Sequence, residues 1–163
     1  MTSYSKPLGK CDESATKFTQ EIAEDKPTFG FNIDCIYWDN TEDRYVLVEL
    51  LKCEEEQWEK HGVQPWTSDP NKYFKLNWRK FRSQWAFANA MNPPAKLLLI
   101  NYAELGTKYG DNVKVMEVSS VRFGEADPVK FTGQQLFSRE EFKEYFKELN
   151  KRSDRDLAKL DLP

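Results

Sequence analysis

Two carboxylates and a lysine around one hairpin are the residues of this chain whose chemistry exceeds what folding alone asks for. The stretch YVLVELLKCEEE, residues 45–56, begins as a buried strand and then sets Glu49 and Lys52 where hydrophobicity gives no reason for either. Upstream, FNIDCIYWD reads as a partner strand across the polar turn DNTEDR. If Trp38 pairs with Tyr45, Asp34 falls opposite Glu49, with Cβ atoms about 5 Å apart. Two carboxylates that close repel, and at least one pKa rises unless a cation sits between them. A hard divalent ion, Mg²⁺ or Mn²⁺, takes oxygen ligands and suits such a pair. A lysine beside it can orient an attacking water while the metal lowers that water's pKa and neutralises charge on a phosphate. The plainer alternative makes Asp34 a solvent-facing strand residue and pairs Glu49 with some lysine.

Downstream lies a second concentration of charge. Lys72, Lys75, Arg79, Lys80 and Arg82 are interleaved with Tyr73 and Trp78 in a chain whose net charge is −3. Overall charge therefore argues against a general polyanion binder, and any contact with DNA or RNA must be local. This helix offers such a surface, the alternative being a cationic solvated face. Gln84 follows Lys80 by one turn, so the two share a flank and could line one groove.

The elements that must hold these residues follow from periodicity. A helix is expected over Glu13–Glu24, with Phe18 and Ile22 on one face, ended by Pro27. Strands over about residues 30–38 and 45–53 form the hairpin. Glu54–Asn71, with an acidic run, His61-Gly62 and two prolines, reads as a long surface loop. Phe74, Trp78, Phe81, Trp85 and Ala88 give the apolar stripe of an amphipathic helix that Pro93-Pro94 ends. AKLLLINYA reads as a buried central strand and NVKVMEVSSV as another. Ser138 to Glu141 is a capping box opening a last helix, with Phe142, Tyr145, Phe146 and Leu149 inward. The sum is one α/β domain with a mixed sheet over residues 13–152, between a flexible segment 1–12 and a charged tail 153–163.

Other chemistries find little support. At 163 residues and 14 % aromatics the chain is long and apolar enough for a real core. No run approaches a membrane span, and MTSYSKPLGK lacks the apolar centre of a secretory signal, so a cytoplasmic protein is expected. Cys11, Cys35 and Cys53 are too few and too irregular for a disulfide framework. Cys53 and His61 lack the spacing of a zinc site, and the single histidine has no companion nucleophile motif. Trp58 and Trp66, in the long loop, either cover the core or meet a partner.

Asp34 in FNIDCIYWD, YVLVELLK after it, Gln84 in RSQWAFANAM and the apolar KLLLINYAE together resemble the core of the PD-(D/E)XK nuclease superfamily, over about residues 13–120. The resemblance implies a restriction-endonuclease-like domain with helices flanking a mixed sheet. It also implies Asp34, Glu49 and a first-helix carboxylate, Glu21, as metal ligands, with Lys52 as the catalytic lysine. The chain departs from the family's Glu-x-Lys spacing, since Glu49 and Lys52 are three apart and would point to opposite faces of a regular strand. A bulge at Leu50-Leu51 would restore the facing, or another position supplies the lysine. The expectation is a Mg²⁺- or Mn²⁺-dependent endonuclease or exonuclease. Its rival is a catalytically inactive, nuclease-like binding or regulatory module whose protein or nucleic-acid partner covers Trp58, Trp66 or the basic helix. A homodimer would suit cleavage of both strands, although no self-complementary face is marked.

Overall fold

The computed structural model describes residues 32–153 together with Glu21. The chain divides into two units, Met1–Gly30 and Phe31–Pro163. In the first, Glu21 is helical and exposed; the rest of the expected helix Glu13–Glu24, the segment 1–12 and the tail beyond Ser153 lie outside the described residues.

The second unit is an α/β domain built on a five-stranded mixed open sheet. In chain order it comprises β1 (Cys35–Asp39), β2 (Arg44–Lys52), α1 (Glu55–His61), a 3₁₀ turn (Pro70–Tyr73), α2 (Phe74–Ala90), β3 (Lys96–Tyr102), β4 (Asn112–Val121), β5 (Val129–Ser138) and α3 (Arg139–Arg152). The strands lie in sequence order across the sheet, all neighbours antiparallel except β2 and β3. A parallel pair requires a crossover, and α2 supplies it. Among the described residues, no helix is long and apolar enough to cross a membrane.

The period of two divides β2 between two cores. Leu47, with Leu97, Leu99 and Met116, packs under Phe74, Phe81 and Ala88 of α2. Val46 and Val48, with Leu98, Ile100, Val113 and Val115, form a second core against Leu149 of α3. Strand β3 is thus buried on both faces, which is why its sequence is an unbroken apolar run. The α2 stripe is rotated slightly from the expected one: Gln84 is fully buried, while Trp78 and Trp85 are half-buried at its edge.

Two elements differ from the sequence reading. Within the expected loop 54–71, Glu55–His61 is helical, held by a capping box between Glu54 and Gln57 and closed by Gly62 at φ 65°. Its anchor is Trp58, 9 % exposed and edge-on to Tyr109 at 5.6 Å. The sheet also gains β5, whose residues are mostly exposed. An edge strand with little buried on either face leaves no alternation to read. The expected capping box at α3 is present, with Ser138 N–H donating to Glu141 Oε2 at 2.7 Å.

Candidate active site

The hairpin register sets the first two residues. Trp38 pairs with Tyr45 and Cys35 with Val48, so Asp34, just before β1, comes beside Glu49. Its Oδ2 accepts the Leu50 amide at 2.7 Å, which carries the chain into the hairpin one residue beyond the ladder. Asp34 is exposed. Glu49 is 1 % exposed, because the odd positions of β2 face α2 and the helix covers them.

A carboxylate in that position needs donors, and α2 provides them one turn apart. Gln84 Nε2 donates to Glu49 Oε2 at 2.7 Å and also to the Asn32 carbonyl at 2.9 Å. The Lys80 ammonium forms an ion pair with Glu49 Oε1. Lys80 is 32 % exposed, so the pair spans from the core to the surface. Burial pushes the Glu49 carboxyl above the usual carboxylate range, the negative charge of Asp34 adds to the rise, and Lys80 and Gln84 oppose it. Gln84 Oε1 is buried with no hydrogen-bond partner, and Glu49 Oε1 has Lys80 against it without a well-directed hydrogen bond.

Lys52 is not brought into this group. The β2–β3 ladder runs unbroken from Val46 opposite Lys96 to Lys52 opposite Tyr102, so there is no bulge to re-aim it. The position two beyond Glu49 belongs to Leu51. Lys52 borders the same cleft of about 290 Å³ as Glu49 and Lys80. Its ammonium, however, lies 3.2 Å from Glu54 and 3.1 Å from Glu104, and those exposed carboxylates hold its pKa above the usual lysine value.

The five cations do not share one surface either. At 100° per residue, Lys80 and Gln84 lie on the flank of α2 turned to β2. Lys75, Arg79 and Arg82, spaced four and three apart, form a separate exposed stripe. Lys72 lies in the 3₁₀ turn before the helix, and the Arg79 guanidinium sits 5.4 Å from the centre of the Trp78 ring. Trp58 is a core anchor, while Trp66 donates its indole N–H to the Phe137 carbonyl at 3.2 Å. Glu21 belongs to the other unit.

Lys80 is the residue whose place here escaped the sequence. Its one available signal was the shared flank with Gln84, a polar side chain next to the apolar stripe, but only the β2 register shows what the two converge on.

The donors fit a hard cation. Asp34, Glu49 and the unpartnered Gln84 Oε1 are all oxygen ligands, and Mg²⁺ commonly takes one or two carboxylates and fills its remaining positions with water. Among the described residues no three of His, Cys, Asp and Glu are gathered as metal ligands. No protein-family model, curated protein or solved structure matches this chain.

Proposed function

We propose that this protein is a metal-dependent nuclease with a restriction-endonuclease-like core of the PD-(D/E)XK kind, hydrolysing phosphodiester bonds in DNA or RNA. The observation that carries the reading is the buried Glu49 carboxylate, held between Lys80 and Gln84 beside the exposed Asp34. A protein rarely buries a carboxylate next to another without a use for the charge.

In this reading Asp34 and Glu49 hold Mg²⁺ or Mn²⁺, with Gln84 Oε1 as a further oxygen. Bound there, the ion would lower the pKa of a coordinated water and neutralise charge on the phosphate. Gln84 keeps Glu49 in one rotamer by bridging it to the Asn32 carbonyl. Lys80 takes the role that the family pattern assigns to Lys52: its ammonium, at the mouth of the cleft, directs the attacking water and donates to the phosphate oxygens. Water adds across the P–O ester bond, and the products are a phosphate monoester and a free hydroxyl. Burial raises the affinity of Glu49 for a proton, which sets a lower pH limit on metal loading. A cytoplasmic, metal-replete setting suits such an enzyme.

One observation favours the second reading, a nuclease-like binding or regulatory module without catalysis. Lys80 already neutralises Glu49, so the site can exist without a cation. Thermal melts in EDTA, Mg²⁺ and Mn²⁺ separate the two. The nuclease predicts metal-dependent stabilisation that Glu49→Gln abolishes, together with cleavage of added nucleic acid. Identical melts in all three conditions with no cleavage would leave the binding module.

A further inference from the structure

The flank of α2 away from Lys80 carries an aromatic slot. It is lined by Phe74, Trp78 and Arg82 of α2 and by Val121 and Phe123, at the end of β4 and the start of its following loop, and holds about 320 Å³. That volume is in the range of small-ligand sites. Phe123 is 73 % exposed, although it stands at a loop tip where a polar residue would cost nothing. It meets Trp78 edge to face at 5.5 Å and the tilted ring of Phe74 at 6.4 Å, which hold it against the helix while most of its surface stays in solvent. Gly124, with φ at 92°, makes the turn that presents it.

The charge around the slot is what identifies its occupant. Arg82 lines it, Arg79 covers Trp78, and Lys75 completes the exposed stripe on the same side of the helix. Aromatic faces beside a row of cations match an unpaired base attached to a phosphate backbone, since stacking takes any base and the cations take the phosphates. An apolar peptide would gain nothing from the cations. A base paired inside a duplex shows only its edges and could not enter.

We propose that the Trp78–Phe123 slot receives an unpaired nucleobase, so that the nucleic acid this protein engages is single-stranded. The proposal rests on the nuclease reading only for the purpose of binding. Lys80 and Trp78 lie on opposite flanks of α2, within one helix diameter of about 10–12 Å. A strand crossing the helix therefore reaches from slot to cleft.

The test uses fluorescein-labelled dT15 and rU15, and a 15-base-pair duplex, binding to the full chain in EDTA so that nothing is cut. Fluorescence anisotropy should show at least one single strand bound more tightly than the duplex. Phe123→Ala should weaken that single strand on the order of 10-fold and leave the duplex unchanged. Phe123→Trp should restore it, and Arg82→Gln should lower the slope of log affinity against log salt by about one. Phe123 is exposed, so a melt of Phe123→Ala matching the wild type confirms an intact fold. Equal binding by Phe123→Ala and wild type, or preference for the duplex, overturns the slot. Binding in EDTA is scored apart from cleavage in Mn²⁺, so wild type that prefers the single strand but cuts nothing fails only the nuclease reading, and wild type that cuts but binds like Phe123→Ala fails only the slot.

Discussion

Replacing Lys80 by Met should cost stability in a way that depends steeply on pH. The variant keeps the stem of the side chain but leaves Glu49, 1 % exposed, with the Gln84 amide as its donor. A buried carboxylate so stranded has a way out, which is to take a proton. The free-energy cost of protonating an ordinary glutamate, of unfolded pKa about 4.3, is about 3.7 kcal/mol at pH 7 and about 1 kcal/mol at pH 5. That cost is the ceiling on the damage. Because Lys80 is 32 % exposed and water can replace part of it, the loss at pH 7 should be about 2–3 kcal/mol. Lys80 pulls the Glu49 pKa down, so its removal raises a pKa that burial has already raised. A carboxyl with a raised folded pKa binds its proton more tightly when native, so stability falls as pH rises from the unfolded value through the folded one. Urea unfolding of wild type and Lys80→Met at pH 5 and pH 7 reads the effect directly. A loss of about 1 kcal/mol or less at pH 5 that grows at pH 7 is expected. The double variant Glu49→Gln/Lys80→Met should lie within about 1 kcal/mol of wild type, because both members of the pair are gone. Equal losses at the two pH values would refute the reasoning, since they would mean that Lys80 contributes packing and not charge.

Three further variants probe the neighbours of that pair. Gln84→Leu removes the donor that satisfies both Glu49 Oε2 and the Asn32 carbonyl, and should destabilise by about 2–3 kcal/mol in the same urea assay. Asp34→Ala deletes the acceptor for the Leu50 amide, an exposed bond worth about 1 kcal/mol, and removes a negative charge that raises the Glu49 pKa. As pH rises, its stability should therefore stop falling at a lower pH than that of wild type, and fall by less in total, as a titration series from pH 3 to 7 would show. Lys52→Ala should leave both the melting temperature and any cleavage unchanged, because its ammonium is engaged by exposed Glu54 and Glu104 and not by Glu49.

The hairpin was legible in the sequence because two signals agreed: two apolar runs marked the strands, and the polar turn between them suggested the pairing of Trp38 with Tyr45 that the register shows. The juxtaposition of Asp34 and Glu49 followed from that register. Strand β3 was legible because burial on both sides leaves an apolar run, and α3 because Ser138 and Glu141 mark its start. What escaped was set by partners distant in the chain. Helix α1 begins at a Glu54–Gln57 box inside an acidic run that resembles loop, and it is held by the contact of Trp58 with Tyr109. Strand β5, an edge, buries too little to impose a pattern. Lys80 looked like one more cation of a basic helix, and only the three-dimensional pairing separates it from Lys75, Arg79 and Arg82. The lysine expected at Lys52 illustrates the same limit, since its facing depended on a bulge that the unbroken β2–β3 ladder does not contain.

The most direct test of the central claim is cleavage of labelled single-stranded and duplex nucleic acid in Mn²⁺ by wild type, Glu49→Gln, Lys80→Met and Lys52→Ala, each checked for folding and repeated in EDTA. Wild type and Lys52→Ala should cleave in a metal-dependent way, and Glu49→Gln and Lys80→Met should not. Cleavage that persists in a folded Glu49→Gln, or that fails in every sample including wild type, would contradict it.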